Sequence, residues 1–259
     1  MGKVIDVASW KDLLAELPDL NAHREWVFRG QSDAKWTLNP SISRHFDYLR
    51  DHLGVNTIAE QDLEFYMLQN FKKTARLYTE RLPNESDDLE WLALMQHYGC
   101  PTRLLDFSFS PYIALFFAVS NGTTDFSLFI IPLEALETNW EKNKAIKICK
   151  KANCKATLTE SVAAFEPKLV ADRQLFQQSV FLCPTSIRTP VGKCILGKEF
   201  LDEVKKIRIT KTLRRDFLRE LNKMNINMAT LFPGLQGYCE SLKTLPLYSH
   251  HSLRQFNNP

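Results

Sequence analysis

In the segment WVFRGQSDAKW, Trp26 to Trp36, an aromatic and β-branched run carries one cation, Arg29, followed at once by Gly30 and Gln31. A guanidinium grips phosphate or carboxylate through two parallel hydrogen bonds. A glycine beside it leaves room for a close backbone approach. Strand alternation places Val27 and Arg29 on one face and Trp26 and Phe28 on the other. The competing role for Arg29 is an internal brace, neutralising a buried carboxylate. A second cluster, MQHYGCPTRLLDFSFSPYIALFFAVS from Met95 to Ser120, gathers Gln96, His97, Thr102, Arg103, Asp106, Ser108 and Ser110 around a helix end, a turn and a helix start. His97 is placed either for proton transfer or for stabilising the C-terminal end of its helix. Arg103 and Asp106 are spaced to pair with each other across the turn. Ser108 or Ser110 fits the cap of the next helix, and no G-x-S-x-G elbow marks either as a nucleophile. In the third cluster, ADRQLFQQSVFLCP, a strand would set Gln177, Ser179 and Phe181 on one face. Gln177 then reads an amide or a ribose hydroxyl, or faces water from an edge strand.

Basic residues form a fourth group. Between Lys205 and Lys223 the lysines and arginines at 205, 206, 208, 211, 214, 215, 219 and 223 outnumber Asp216 and Glu220, a surplus of +6. This segment 205–223 reads as a solvated helix face or as a phosphate-backbone contact to nucleic acid. Lysines at 142, 144, 147, 150, 151 and 155 form a second patch. The net charge of the whole chain, +3, is too mild to imply such a partner alone. Six cysteines lack any C-x-x-C pair or zinc spacing, so no metal is expected. Scattered thiols suit a cytoplasmic protein. The most apolar run, Tyr112 to Val119, is too short to span a bilayer, and no membrane partner is expected. P-loop, G-x-G-x-x-G and H-E-x-x-H motifs are all absent, which removes support for ATP hydrolysis and Rossmann dehydrogenase chemistry.

The elements that must position these groups alternate irregularly. Helices are expected at Ser9–Leu17, from Pro40 onward, at Glu60–Thr79, over LEWLALMQHYG, at Pro111–Ser120, from Thr210 to about Met224 and within LFPGLQGYCESL. Strands are expected around Arg29, at TRLLDFS, FSLFIIPL, QSVFLCP and VKKIRI. This pattern predicts an α+β fold: a single mixed domain over 1–259, small β-sheets flanked by helices, with its core at about 20–246. The lysine-rich stretch at about 137–164 reads as an excursion.

Four blocks in order, WVFRGQSDAKWTLNPSISR, MQHYGCPTRLLDFSFSPYIALFFAVS, DRQLFQQSVF and ATLFPGLQGYCESL, resemble the FRG domain family, over Trp26 to Leu242. That family is bacterial or phage-associated and often lies near defence genes. A second resemblance is to ADP-ribosyltransferases of the arginine–serine–glutamate class, whose NAD site opens with an aromatic-Arg-Gly strand. VFRG is similar to it. In DFSFSPYIA, Ser108, Pro111, Ile113 and Ala114 occupy the places of that class's second motif, with Asp106 replacing its first serine. The resemblance implies an ADP-ribosyltransferase-like fold and NAD as substrate, with ADP-ribose transferred to a protein or RNA target by a toxin or phage-defence effector, and a neutralising antitoxin as a further partner. Arg29, His97, Asp106 and Gln177 would then be catalytic. Arg29, Gly30, Gln31, Gln96, Arg103 and Ser108 would bind the dinucleotide. The glutamate of that class has no clear counterpart; Gln177 and Gln178 stand near its place, and Glu160 and Glu166 are the alternatives. Two other readings stay open: a nucleotide- or nucleic-acid-binding module without turnover, and a nuclease or hydrolase using His97 and Asp106.

Overall fold

The computed structural model of the protein describes residues 2–19, 25–56, 58–136, 162–168, 175–188, 191 and 202–248. Local chemistry sets the helix boundaries. Helix α1, Trp10–Glu16, starts where the Ser9 hydroxyl accepts the Asp12 N–H at 3.1 Å. Helix α2, Ser41–Leu53, follows Pro40 and stops at Gly54 in the left-handed region. Helix α3, Glu60–Ala75, ends before the expected Thr79, because Leu77 and Tyr78 point into solvent and leave no apolar stripe to continue. Helix α4, Asp88–His97, is capped by Asp87 and ends at Gly99, whose φ of +86° favours glycine. Helix α5, Pro111–Val119, has proline at its first position and the Ser110 hydroxyl accepting the Ile113 N–H at 3.3 Å. After it come α6, Arg214–Lys223, α7, Met228–Leu231, α8, Leu235–Leu242, and α9, Leu245–Tyr248. Thr210 gives α6 no side-chain cap; a short 3-10 turn, Lys211–Leu213, stands between them.

The strands are β1, Lys3–Val7, β2, Trp26–Gln31, β3, Leu105–Ser108, β4, Phe126–Pro132, β5, Val162–Phe165, β6, Ser179–Pro184, and β7, Lys205–Ile209. They build an α+β fold on one sheet of order β1-β7-β4-β2-β3-β6-β5, instead of the several small sheets expected. All pairings are antiparallel except β1 with β7. Three sequence readings change. The core begins before residue 20, since β1 is an edge of the sheet and Val7 and Leu13 are buried. Residues 162–164, assigned to the excursion, lie in β5, while 137–161 and their lysines lie outside the described residues. Gln177 precedes β6 in a turn, where Gln178 takes a φ of +46°.

Strand alternation sorts the apolar side chains onto two faces. On one face, Phe28, Leu128, Ile130, Ile207 and Val7 pack against α1, α5 and α6, while Phe181, Cys183 and Phe165 pack against α3 and α4. On the other, Val27, Phe107, Phe129, Ile131 and Leu182 meet Leu38, Leu136 and Val204. The sheet is weakest in its middle. Strands β2 and β4 share a register running from Trp26↔Pro132 to Gln31↔Ser127, and β3 and β6 are paired from Leu105 to Ser108. By contrast, β2 and β3 meet only at Phe28↔Ser108.

Gly30 is explained by packing. A Cβ at this position would lie 1.8 Å from the Ala114 carbonyl oxygen and 2.8 Å from the Ala118 nitrogen, so the close approach is that of helix α5. Gly30→Ala is expected to push α5 off the sheet and to cost about 1–3 kcal/mol, the usual penalty of overpacking. A urea titration that leaves the unfolding midpoint unchanged would refute this account.

Candidate functional site

Helices α4 and α5 lie on the same face of the sheet and leave a gap over the β2–β3 junction. That gap is a cleft of about 280 Å³. Its floor is Phe28, Ser108, Ser179 and Phe181; Ala114 and Phe117 of α5 form one wall, and Gln96 and His97 close the α4 side. Arg29 and Asp106 line it where β2 and β3 diverge. Apolar walls with a few convergent polar groups are the usual make-up of a small-molecule site.

Arg29 is neither sealed nor fully solvated, with 19% of its side chain exposed. Its Nη1 donates to the Asp106 carbonyl oxygen at 2.5 Å, and the Asp106 carboxylate stands 4.0 Å away, itself 65% exposed. The Arg29 Nε is buried and makes no hydrogen bond among the described residues. Burial pulls the Arg29 pKa below its ordinary value, the Asp106 charge opposes that shift, and the Arg44 charge adds to it. The group remains a cation at any physiological pH. A brace would use the guanidinium fully, whereas this one keeps donors in hand beside a cleft.

The other sequence candidates divide sharply. Arg29, Gly30, Gln96, His97, Asp106, Ser108 and Gln177 all line the cleft. Arg103 and Gln31 do not. Arg103 pairs with Glu64 instead of Asp106: Glu64 accepts from the Arg103 Nη2, from Nε at 2.7 Å and from the backbone N–H at 3.0 Å, and both residues are buried. Gln31 is absent from the lining, and its Nε2 donates to the Thr37 carbonyl at 3.0 Å. The Ser108 hydroxyl donates to the Gln177 carbonyl at 2.8 Å and accepts the Ser110 N–H at 3.1 Å, so it fixes the turn before β6 and does not orient Arg29. Gln177 is buried, not facing water, and its Nε2 donates to the Leu231 carbonyl at 3.1 Å. The Gln96 Oε1 accepts the Thr102 hydroxyl. Glu166 is exposed and lies outside the cleft lining, and Glu160 lies outside the described residues.

Sequence reading passed over Phe117 and one cation. Ala114 and Phe117 stand three residues apart on α5, a helical spacing that marks a shared face but not what it faces. Arg44, three residues after Ser41 on α2, lines a second cleft beside the first, together with Arg29, Gln96 and Asp106.

The basic segment 205–223 is a strand, a turn and a helix, and its charges are largely used within the fold. Lys205 pairs with Glu16 at 3.0 Å, and Arg208 with Asp6 through two bonds of 2.5 and 2.7 Å. Arg214 Nη1 donates to the carbonyls of Ala118, Val119 and Asn121, placing a cation at the C-terminal end of α5 where the helix dipole favours it. Lys206 donates to the Trp36 carbonyl, and Arg219 to that of Leu247. Among the described residues, no group of three or more His, Cys, Asp or Glu is placed to hold a metal, and no helix is long and apolar enough to cross a membrane.

Residues 24–126 match the family model of the FRG domain. No curated protein and no solved structure matches the chain. The matched segment contains β2 and β3, α2 to α5 and the first residue of β4, and with them Arg29, Gln96, His97, Asp106 and Ser108.

Proposed function

We propose that this chain, whose residues 24–126 match the FRG domain model, is an NAD-dependent ADP-ribosyltransferase-like enzyme acting on a macromolecule as a toxin or phage-defence effector. One observation carries the reading: a partly exposed guanidinium with donors to spare stands where two strands part, at the mouth of an aromatic-walled cleft. Arg29 supplies the fork for a diphosphate. Phe28, Phe117 and Phe181 give a flat heteroaromatic ring an apolar seat. In the reaction the bond from the ribose anomeric carbon to the nicotinamide nitrogen breaks and its electron pair neutralises the pyridinium. The acceptor's nucleophile then bonds to that carbon and gives up its proton. The developing oxocarbenium asks for an anion nearby. Asp106 is the carboxylate among the cleft-lining residues, so it takes that role, and His97 is placed to receive the acceptor's proton. Gln177 shapes the cleft through its carboxamide and backbone.

The test is NAD labelled in its adenylate half, incubated with the protein and a cell lysate. Nicotinamide is expected to be released and label to become attached to a macromolecule, and digestion with protease or ribonuclease then identifies the class of target. Asp106→Asn is expected to bind NAD and to lose transfer by about 10²-fold. Saturable NAD binding without nicotinamide release would instead establish a sensing module. That second reading is favoured by one observation, the solvent exposure of the Asp106 carboxylate, which weakens its field at the cleft. Nucleic acid cleaved in the absence of NAD would establish the hydrolase.

A further inference from the structure

Arg29 and Asp106 stand between two clefts. The second, of about 250 Å³, is bounded by Arg44 and Ser41 on the first turn of α2 and by the Gly99–Pro101 turn that ends α4. Its charge is unbalanced. Arg29 and Arg44 both line it, and Asp106 is the carboxylate among its lining residues. Neither guanidinium is used up. Arg29 makes one hydrogen bond among the described residues, to the Asp106 carbonyl, and Arg44 makes one, from Nη1 to the Asn39 carbonyl at 2.8 Å. Each guanidinium carries five N–H donors. Both cations line this one cleft, and the Arg44 charge adds to the burial that lowers the Arg29 pKa. Two like charges held together at an open cleft are relieved by an anion between them. The start of α2, which has no side-chain cap, adds positive potential on the same side.

We infer that this second cleft is an anion subsite for a terminal phosphate, bridged by Arg29 and Arg44 and separate from the aromatic cleft. A phosphate monoester presents three oxygens and two negative charges, enough to take both forks at once. A diester presents two oxygens and one charge and satisfies the pair less well. The volume admits a phosphate with its attached sugar. The inference needs only the geometry of the second cleft and stands whether or not the first one turns over NAD. Because Arg29 lines both, occupancy of one cleft changes affinity in the other.

The experiment is calorimetric titration of the full chain with inorganic phosphate, with sulfate and with AMP, repeated on Arg44→Gln and on Phe117→Ala. Arg44 is on an exposed helix surface, so Arg44→Gln is expected to keep its circular dichroism spectrum and unfolding midpoint. Saturable phosphate and AMP binding is expected in the parent chain. It should weaken by about tenfold or more in Arg44→Gln, as loss of a charge-assisted fork does. Arg44→Lys should restore part of it, and Phe117→Ala should leave the affinity for inorganic phosphate intact. Sulfate should bind as phosphate does, since the subsite reads charge and oxygens. Failure to saturate by about 20 mM phosphate, beyond which affinity is too weak to be specific, overturns the inference. So does phosphate affinity that survives Arg44→Gln, or that falls with Phe117→Ala, which would move the anion to the first cleft. NAD turnover is read separately, so its absence leaves this result standing.

Discussion

Arg29→Lys is expected to fold like the parent chain and to lose NAD turnover by about 10²-fold. Lysine keeps the positive charge but replaces a planar fork with a single ammonium on a flexible stem. What is lost is orientation of the diphosphate, and misplacement of a bound group by about 1 Å costs on the order of 10²-fold in rate. Stability should change little, because the one hydrogen bond that Arg29 makes among the described residues accepts at a carbonyl a lysine also reaches, and its carboxylate neighbour is exposed and 4.0 Å away. Nicotinamide release measures the first effect and a urea titration the second. Loss of the fold together with activity would show Arg29 to be a brace; unchanged turnover would remove it from the site.

Glu64→Ala is expected to be the most destabilising of the substitutions discussed, at about 3–5 kcal/mol, because it strands a buried guanidinium. Glu64 on α3 is 1% exposed and Arg103 is 5% exposed. Besides its bonds to Glu64, Arg103 donates from Nη1 to the carbonyls of Pro184 and Thr185, at 3.4 and 3.3 Å. The pair therefore fastens α3 to the segment entering β3 and to the end of β6. The paired substitution Glu64→Leu with Arg103→Met removes both charges and should recover much of the loss. Thermal and urea unfolding of the two variants measures this. If the single variant unfolds at the parent's midpoint, the ion pair does not hold the helix.

The contrast between these arginines shows what a single sequence discloses. Local rules were legible: Ser9, Ser110 and Pro111 sit where helix starts demand, Gly99 where a helix must end, and β4 is buried along its full length as its run, apolar but for Ser127, implies. The convergence of Arg29, His97, Asp106, Ser108 and Gln177 on one cleft followed from short motifs held on rigid elements. Partner choice was not legible. Arg103 and Asp106 lie three residues apart, yet the true partner of Arg103 is Glu64, brought in from a helix whose docking no local spacing encodes. Gly30 likewise reads as room for a ligand until helix α5 is seen to occupy that room. The alternating pattern of β1 is too short and too exposed to stand out, and only its pairing with β7 makes it a strand. Nothing local in the sequence singles out Arg44, which gains its place only because the turn after α4 borders the same cleft.

The parallel pairing of β1 with β7 has a consequence for how the chain is made. The bidentate bond from Arg208 to Asp6 spans 202 positions of sequence. On a ribosome adding about 5–20 residues per second, β1 emerges roughly 10–40 s before the strand it must join. Throughout that interval its backbone donors have no mate, and a contact so distant along the chain is slow to close. Strand β1 is thus seated only after some two hundred further residues have been added, and the nascent polypeptide carries an open edge throughout that interval.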